Sequence, residues 1–443
     1  MAGITRRRLL RTSGVAAAAA ASGGLAAVVA ARRAPAFAQG TALHWLKPPD
    51  YVPASDELLR KKLLPECEKA LGIKITLETI DGNGIQARTT SSIQSGAGPD
   101  VICEINNWAQ LYADSVVDVT DVCDEIAKAQ GGFYEESKAI GNDGKRWIAV
   151  PFTILGILLA NRKTWWEEAG YGGDKYPRDW EGFRAAGKKL KGKDHPIGQT
   201  LAHTYGDAPA FWYPYLWSWG GKEVEADGKT VVLNSKETVE SVKFATAFWK
   251  ECCDEGALAW DDSGNNRAFL SGTISATANA ASIYIEAKKK PDSYQTDKGT
   301  PMKDDIFHAP LPSGPAGQFS YHVPFANVIL RYSKNEKAAK DFLRSFHSNP
   351  VYDEWFTSQQ GFSAGTTTMW EGNKVWNDDP IMAPFRTSVR SGRFAGYAGP
   401  SLRPAAEAIS KYIIVDMYAK AVQGMPPEDA VKWAHQQLAG IYA

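Results

Sequence analysis

Apolar and polar positions alternate along the chain after residue 40 in a way that predicts strands and helices in turn. The predicted elements are a strand over 41–46, a helix over 56–71, a strand over 73–77, a helix over 85–94, a strand over 101–103 and a helix over 108–113. Strands that alternate with helices predict an α/β fold on a parallel sheet with right-handed crossovers. In open sheets of this kind, ligands bind beyond the carboxyl ends of the strands.

The pattern becomes mainly helical after residue 151. Predicted helices cover 163–168, 180–190, 208–219 and 235–253, strands return at 307–311 and 326–331, and helices over 404–422 and 427–438 close the chain. Asn234 with Glu237, and Ser333 with Glu336, have the spacing of capping boxes. Strand-rich regions before and after a helical one predict that the chain crosses between two lobes more than once.

The first 38 residues have the pattern of a removable export leader. A basic segment with paired arginines, 5–11, precedes an alanine-rich apolar stretch over 15–31. Ala36-Phe37-Ala38 is a small-x-small cleavage pattern, so the mature chain is expected to begin near Gln39. No cysteine before Cys67 offers a lipidation site. We therefore expect export by the twin-arginine pathway and a free protein in the periplasm.

Charge and cysteine content narrow the classes of function. The 443 residues carry 50 Lys+Arg and 50 Asp+Glu, and loss of the six leader arginines leaves a net charge of −6. That charge argues against a nucleic acid partner. The five cysteines are too few for a disulfide scaffold; a Cys103–Cys123 pair is one option, and most are expected to be buried small hydrophobes.

Motifs for catalysis or metal binding do not occur in the sequence. HExxH, GxSxG, GxxxxGK[ST] and CxxC are all absent, and the seven histidines lack ligand-like spacing. We expect no catalytic residue, no metal and no cofactor. Acidic residues are too abundant to exclude a glycosidase pair, so a secreted carbohydrate-active hydrolase stays open.

One glycine motif points to a different class of protein. Gly82-Asn83-Gly84-Ile85-Gln86-Ala87 follows a predicted strand, and Glu104 lies 20 residues past Gly84, the spacing of a dinucleotide site. The preceding strand, however, contains too many polar residues for a buried parallel strand, and the following helix lacks an apolar stripe. An exported nicotinamide-dependent oxidoreductase that uses this loop is the alternative, and the pattern disfavours it.

Several short motifs follow one another in the order of a known family. They are Gly98-Pro99-Asp100-Val101-Ile102, Trp108 to Ala113, Val116 to Val119, Gly144 to Phe152, Asn161 to Phe183, Phe269 to Ala276 and Pro427 to Ala434. Together they resemble the carbohydrate-binding, maltose-binding-protein-like family of extracellular solute-binding proteins of bacterial ABC importers. The resemblance covers residues 41–443.

This resemblance implies a two-lobed periplasmic-binding-protein fold, with a ligand cleft between lobes that crossover hinge segments join. The expected lobes are 39–150 with 306–362, and 151–305 with 363–443. The implied function is capture of a sugar or sugar-like solute by lobe closure and its delivery to an ABC permease. A monomer with no enzymatic activity is expected.

The resemblance also implies a set of ligand-binding residues around the cleft. They are Trp45, Lys47, Asp50, Glu104, Asn107, Trp108, Phe152, Tyr205, Asp207, Trp212, Asn279 and Tyr397. Glu104 and Ser282 stand where the family often has stacking aromatic residues, with Tyr284 able to replace the second. These departures leave the ligand open among sugars, polyols and phosphorylated compounds, with Lys47 and Arg403 as candidates to bind an anion.

Overall fold

The structure is a computed structural model that describes residues 40–443, so the expected leader and its cleavage site lie outside the described residues. Its strands are β1 (Ala42–Lys47), β2 (Lys74–Thr79), β3 (Val101–Ile105), β4 (Val150–Leu155), β5 (Leu158–Arg162), β6 (Ala276–Asn279), β7 (Ile306–Ala309) and β8 (Val323–Ile329). They form a five-stranded sheet of order β2-β1-β3-β8-β4 and a three-stranded sheet of order β6-β5-β7. We call the parts packed around these two sheets the first and second lobes.

The first sheet is mixed. β1 pairs in parallel with β2 and β3, whereas β8 runs antiparallel to both β3 and β4. Both pairs of the second sheet are antiparallel. The predicted parallel sheet is therefore correct for β1, β2 and β3 only. β8 enters the first sheet from the second lobe and β4 leaves toward it, so their direction depends on crossovers that local periodicity does not record.

Helices cover the sheets and form a bundle at the end of the chain. They are α1 (Pro53–Leu58), α2 (Leu64–Leu71), α3 (Ile85–Ser95), α4 (Thr120–Gln130), α5 (Glu135–Gly141), α6 (Lys163–Glu168), α7 (Trp180–Lys191), α8 (Asp207–Ser218), α9 (Lys236–Cys252), α10 (Gly264–Leu270), α11 (Ser282–Lys289), α12 (Glu336–Phe346), α13 (Asn349–Ser358), α14 (Val375–Asp378), α15 (Arg403–Ser410), α16 (Ile413–Val422) and α17 (Pro427–Tyr442). None of the helices within 40–443 is long and apolar enough to cross a membrane.

Three helix predictions differ from the structure. The helix expected over 56–71 begins at Pro53 and contains a π-helical turn at Leu59–Leu63. The helix expected over 404–422 is broken at Tyr412, which has a left-handed backbone with φ 55°. Residues 108–113, expected as an α-helix, lie in a 3-10 helix, Trp108–Ser115.

Neither predicted capping box forms. Helix α9 is capped by Ser235, whose hydroxyl accepts the Thr238 N–H at 3.1 Å. At α12, the Ser333 hydroxyl donates to Asp100 at 2.5 Å and accepts the N–H of Asn335, which is itself the N-cap residue, so Ser333 lies two residues too early to cap the helix. A carboxylate 233 residues away in sequence decides where that hydroxyl points.

All five cysteines are buried and unpaired. Cys103 lies in the middle strand of the first sheet, and the Cys123 thiol donates to the Ala149 carbonyl at 3.6 Å. The Cys103–Cys123 disulfide is therefore not formed, and the prediction of buried small hydrophobes is confirmed.

Strand pairing differs from the expected lobe limits at two places. β4, at 150–155, pairs with β8 in the first sheet, whereas β7, at 306–309, pairs with β5 in the second. A further contact crosses the expected limits: Trp370, which was expected in the second lobe, donates to Gln130 at 3.1 Å and packs on Tyr352, both expected in the first lobe. The residue limits of the two lobes stay a prediction.

Candidate binding cleft

The carboxyl ends of the three parallel strands meet at one edge of the first sheet. Tyr51 follows β1, Gly82 follows β2, and Asn106 and Asn107 follow β3. The second lobe faces this edge with the segment before α8, because Tyr205 of that segment accepts the Asn106 amide at 2.9 Å. Gln199 ties the same segment to the second sheet by accepting the N–H of Ala278 in β6 at 3.1 Å. The two lobes meet here, where an open sheet places a ligand.

Asn106 and Asn107 hold the two lobes together directly. The Asn106 amide donates to the Tyr205 carbonyl at 2.9 Å, and its carbonyl oxygen accepts the Tyr321 hydroxyl at 2.8 Å. The Asn107 amide donates to the Ser401 hydroxyl at 2.9 Å. Ser401 precedes α15, which packs on the 3-10 helix that follows Asn107. The cleft is therefore closed by side chains from three separate stretches of the chain.

Tyr205 also touches the ends of β1 and β2. Its hydroxyl contacts the Tyr51 hydroxyl. Its ring lies so close to Gly82 that a Cβ there would stand 2.4 Å from Tyr205 Cε1. Gly82 is therefore required for close approach of the lobes, since any side chain would collide with the ring.

Several buried polar atoms around the cleft have no hydrogen-bond partner in the described part of the chain. They are Asn107 Oδ1, Asp207 Oδ2, Tyr213 Oη, Trp217 Nε1 and Glu223 Oε1. Each such atom costs about 1–3 kcal/mol when it is buried unsatisfied. Donors and acceptors from a polar ligand would remove that cost.

Acidic groups surround the Tyr51 hydroxyl at the part of the cleft that we call its mouth. Asp262 accepts the N–H groups of Tyr205, Gly206 and Asp207 at 3.2, 3.0 and 3.1 Å. Burial and the adjacent Asp262 charge raise the pKa of Asp207. Burial, and then the charges of Asp262, Asp81 and Asp207 in that order, raise the pKa of Tyr51. Three carboxylates from both lobes therefore act on one tyrosine hydroxyl.

Comparison with known proteins agrees with this geometry. The model of the bacterial extracellular solute-binding protein family matches residues 62–384, which is more than half of the chain. The chain belongs to the bacterial extracellular solute-binding proteins. No curated protein sequence matches it.

Solved structures of solute-binding proteins have the same two-lobed α/β fold. The maltose-bound MalE3 of T. maritima is 21% identical with a TM-score of 0.74, covering 90% of this chain and 99% of its own. An ABC transporter solute-binding protein of Thermotoga lettingae bound to α-D-tagatose is 18% identical with a TM-score of 0.76, covering 91% and 100%. One from Agrobacterium radiobacter with ribitol is 20% identical with a TM-score of 0.72, covering 91% and 99%.

In this solute-binding protein, four of the expected binding residues lie at or beside the closed cleft. Asn107 and Tyr205 make contacts between the lobes, and Asp207 lies in the acidic mouth. Tyr397 packs at 5.9 Å from Trp217, beneath the Arg393 guanidinium at 4.1 Å.

Lys47, Asp50 and Phe152 come together in a small pocket at the end of β1. Lys47 and Asp50 form a buried ion pair at 2.6 Å. Asp50 also accepts from Trp355 at 3.0 Å, and Phe152 packs on that indole at 4.7 Å. The pocket holds about 20 Å³, which is room for about one water molecule.

Four expected binding residues lie in packed surroundings instead. Trp45 is fully buried among Phe152, Phe342 and Phe346 with its N–H bonded to Asn327, and Trp212 stacks on Tyr418 with its N–H bonded to Thr200. Trp108 is buried in its 3-10 helix, and its indole N–H has no partner among the described residues. Glu104 is buried beneath α3, where Thr89 donates to one of its oxygens at 2.6 Å while Oε2 has no partner among the described residues, and burial raises its pKa to about 7, which favours the protonated form.

The placement of Glu104 also gives the dinucleotide alternative no support. The carboxylate that its spacing assigned to a ribose is covered by α3, and Tyr205 occupies the face of the Gly82 turn. β2 is an edge strand, which explains its polar residues. Family membership gives the oxidoreductase no support.

The remaining lobe-two expectations are less central. The Asn279 amide donates to Asn266 at 2.6 Å and to Ser282 at 3.3 Å, so these three side chains bind one another. Tyr284 donates to Asp379 at 2.8 Å. Arg403 is exposed at the start of α15.

Sequence reasoning missed several residues of the cleft: Tyr51, Asn106, Asp262, Tyr321 and Ser401. Two had a local signal, because Tyr51 and Asn106 adjoin the predicted residues Asp50 and Asn107. The other three come from distant segments that only the tertiary fold brings to the cleft. No group of histidine, cysteine, aspartate and glutamate in 40–443 could hold a metal ion.

Proposed function

We propose that this protein is the receptor of an ABC importer that captures a sugar or polyol by closing its two lobes and presents the closed form to a membrane permease. The observation that carries the proposal is the closed cleft itself, in which Asn107, Tyr205 and their partners join the lobes while polar atoms beside them lack partners. Binding of maltose, tagatose and ribitol by proteins of the same fold supports this ligand class.

The mechanism follows from the cost of closing an empty cleft. Unpartnered buried atoms oppose closure by about 1–3 kcal/mol each. Ligand hydroxyls both donate and accept, so a bound polyol removes this cost in the closed form alone. A ligand that binds one form better shifts the population toward it, which couples binding to closure.

We propose lobe limits that follow the strands of each sheet and differ from the limits that the family resemblance implied. The first lobe comprises about 40–155 with 323–362, and the second comprises the intervening residues and the C-terminal bundle. The crossovers are then Gly156-Ile157, the segment before β8 and the segment after 362. We propose twin-arginine export, cleavage near Ala38, a periplasmic monomer, and binding without chemistry.

The expected binding residues are proposed in two groups. Asn107, Tyr205, Asp207 and Tyr397 would contact ligand, with Tyr51 and Asn106 added. Lys47, Asp50, Phe152 and Trp355 would support the end of β1. Trp45, Glu104, Trp108 and Trp212 would act through packing only.

Closure is tested with a pair of glycine variants in the same turn. Gly82→Ala places a methyl group against the Tyr205 ring, whereas a Cβ at Gly84 meets only Ile80 at 3.5 Å, an ordinary contact. We expect wild type and Gly84→Ala to bind a sugar of a panel that includes maltose, D-tagatose and ribitol. Small-angle scattering should show compaction, and Gly82→Ala should lose at least about 10-fold in affinity, or roughly 1.4 kcal/mol.

Tryptophan fluorescence measures binding, and thermal unfolding verifies that both variants are folded. Native mass spectrometry of freshly purified protein identifies any ligand that copurifies. If a broad panel of sugars and polyols caused neither a fluorescence change nor compaction of the wild type, the proposed function would be wrong. Equal affinity and equal compaction in both glycine variants would contradict the closure mechanism.

A further inference from the structure

The mouth of the cleft holds an aspartate cluster, which we define as Asp81, Asp207 and Asp262. Asp81 follows β2 in the first lobe, and the other two belong to the second lobe. All three charges act on the Tyr51 hydroxyl, and the Asp81 charge acts on Asp262. Lobe closure therefore brings carboxylates of both lobes together.

Two members of the cluster differ in how they are satisfied. Burial, the largest influence, raises the pKa of Asp262 to about 6, while three backbone N–H groups at 3.0–3.2 Å oppose that shift by stabilising its ionised form. Asp207 is 6% exposed, and its Oδ2 has no partner among the described residues. Burial and the Asp262 charge raise the pKa of Asp207, so the empty site favours the protonated acid, and a cation beside Oδ2 favours the ionised acceptor instead.

No cation of the described chain offsets this negative charge. The main influences on the pKa values of Asp207 and Asp262 include no lysine or arginine. Lys47, near the same edge of the sheet, is committed to Asp50 at 2.6 Å. The Arg393 guanidinium lies between the rings of Phe319 and Tyr397, at 3.9 and 4.1 Å.

The chemistry of the ligand follows from this imbalance. Hydroxyl groups satisfy hydrogen bonds but leave the net charge of a closing, water-poor cleft unchanged. A protonated amine supplies three donors and a positive charge, and charge-assisted bonds are roughly twice as strong as neutral ones. Like charges brought together without a counter-charge oppose closure.

We infer, on the basis of the proposed receptor function, that the site selects an amine-bearing polyol, such as an amino sugar, over its neutral counterpart. Asp207 binds the ammonium group directly. Asp262 is a positioning residue that fixes the Tyr205–Asp207 turn and adds negative charge. On this inference, phosphorylated ligands, for which Lys47 and Arg403 were the candidate residues, are disfavoured at this mouth.

Matched pairs of probes test the inference at neutral pH by calorimetry. One pair is glucosamine and glucose; the other is the β-1,4-linked glucosamine dimer and cellobiose. N-acetylated forms remove the charge from the amine without any change to the protein. We expect at least one amine to bind about 10-fold or more tightly than both its neutral and its N-acetylated counterparts.

Two variants locate the preference. Asp207→Asn should reduce the amine-to-neutral ratio to about one. Asp304→Asn, at an exposed aspartate of the second lobe that pairs with Lys303 at 2.6 Å, should leave the ratio unchanged. The wild-type comparison of amine and N-acetylated probes decides the case even if Asp207→Asn fails to fold.

The outcomes separate this inference from the proposed function. If neutral sugars bound as tightly as their amines in the wild type, the inference would be overturned and the receptor function would stand. If neither these probes nor the sugar and polyol panel bound, both would be overturned. A ratio that survived in Asp207→Asn would also overturn the assignment of that residue.

Discussion

Two buried polar regions lie within a few residues of each other at the end of the first sheet, and they differ in how well their atoms are satisfied. In the β1 pocket, Lys47 and Asp50 pair with each other, and Asp50 also receives Ser55, Trp355 and Gln359. In the cleft, Asn107 and Asp207 each keep an oxygen without a donor.

The difference separates support from recognition. A satisfied buried network stabilises the fold and has nothing left to offer a ligand. An unsatisfied one is costly until something binds. We therefore propose different roles for residues of the same type that were all expected from the sequence to bind ligand, according to their partners.

The largest effect is expected from a substitution in the satisfied network of the β1 pocket. Asp50→Ala leaves the Lys47 ammonium buried without a counter-charge, which should cost about 3–5 kcal/mol of unfolding free energy. Urea unfolding measures it. The control is Asp378→Ala, which breaks the exposed Lys374–Asp378 pair at 3.0 Å and should change stability by less than about 0.5 kcal/mol. Equal losses would show that the β1 pocket is not a structural network.

Glu104 gives a pH-dependent form of the same test. Burial raises its pKa from 4.5 to about 7, so the folded state favours the protonated form. Its stabilising contribution is full below pH ~4.5 and is lost as pH rises through ~7. Glu104→Gln should therefore exceed wild type by roughly 3 kcal/mol of stability above pH ~7, from about 1.36 kcal/mol per pKa unit, and match it near pH ~4.

Unfolding at a series of pH values measures this difference, and sugar affinity should stay unchanged because Glu104 lies beneath α3. A variant that unfolded with the wild-type pH dependence, or that lost ligand binding, would instead assign Glu104 to the ligand-binding residues of the cleft.

Asn107→Ala tests the cleft, where buried polar atoms lack partners. Loss of its contacts to Ser401 and to ligand should reduce affinity for the tightest sugar of the panel by about 10-fold, equivalent to roughly 1.4 kcal/mol. Fluorescence titration measures it, with exposed Asn377→Ala as the control. Unchanged affinity together with reduced stability would make Asn107 a structural residue like Asp50.

The smallest effect is expected at the rim. Tyr51→Phe removes the hydroxyl that meets Tyr205 but keeps the ring packed 5.9 Å from Phe362. One neutral hydrogen bond contributes about 1 kcal/mol net, so affinity should fall only about 3- to 5-fold. Tyr294→Phe, on the second lobe, is the matched control, since its hydroxyl bonds Glu286 within that lobe. A loss above 10-fold would place Tyr51 in direct contact with ligand.

Much of the fold could be predicted because periodicity is a local property. β1, β2, α3 and β3 lie within two residues of their predicted limits, and α6 matches its prediction. The direction of β4 and β8 could not be predicted, because strand pairing depends on where the chain returns after a crossover. The Ser333 cap failed for the same reason, since distant Asp100 takes its hydroxyl.

For the site, the sequence by itself determined the class of protein: ordered motifs across 41–443 were sufficient for the family, which the match over 62–384 confirms. It also placed Asn107 and Asp207 near strand and helix ends, where main-chain geometry favours binding. It did not distinguish Asp207 from Asp50, or Tyr205 from Trp212. Tertiary structure alone supplied the difference on which the proposed roles rest, because whether a buried polar atom is free for a ligand depends on partners that lie hundreds of residues away.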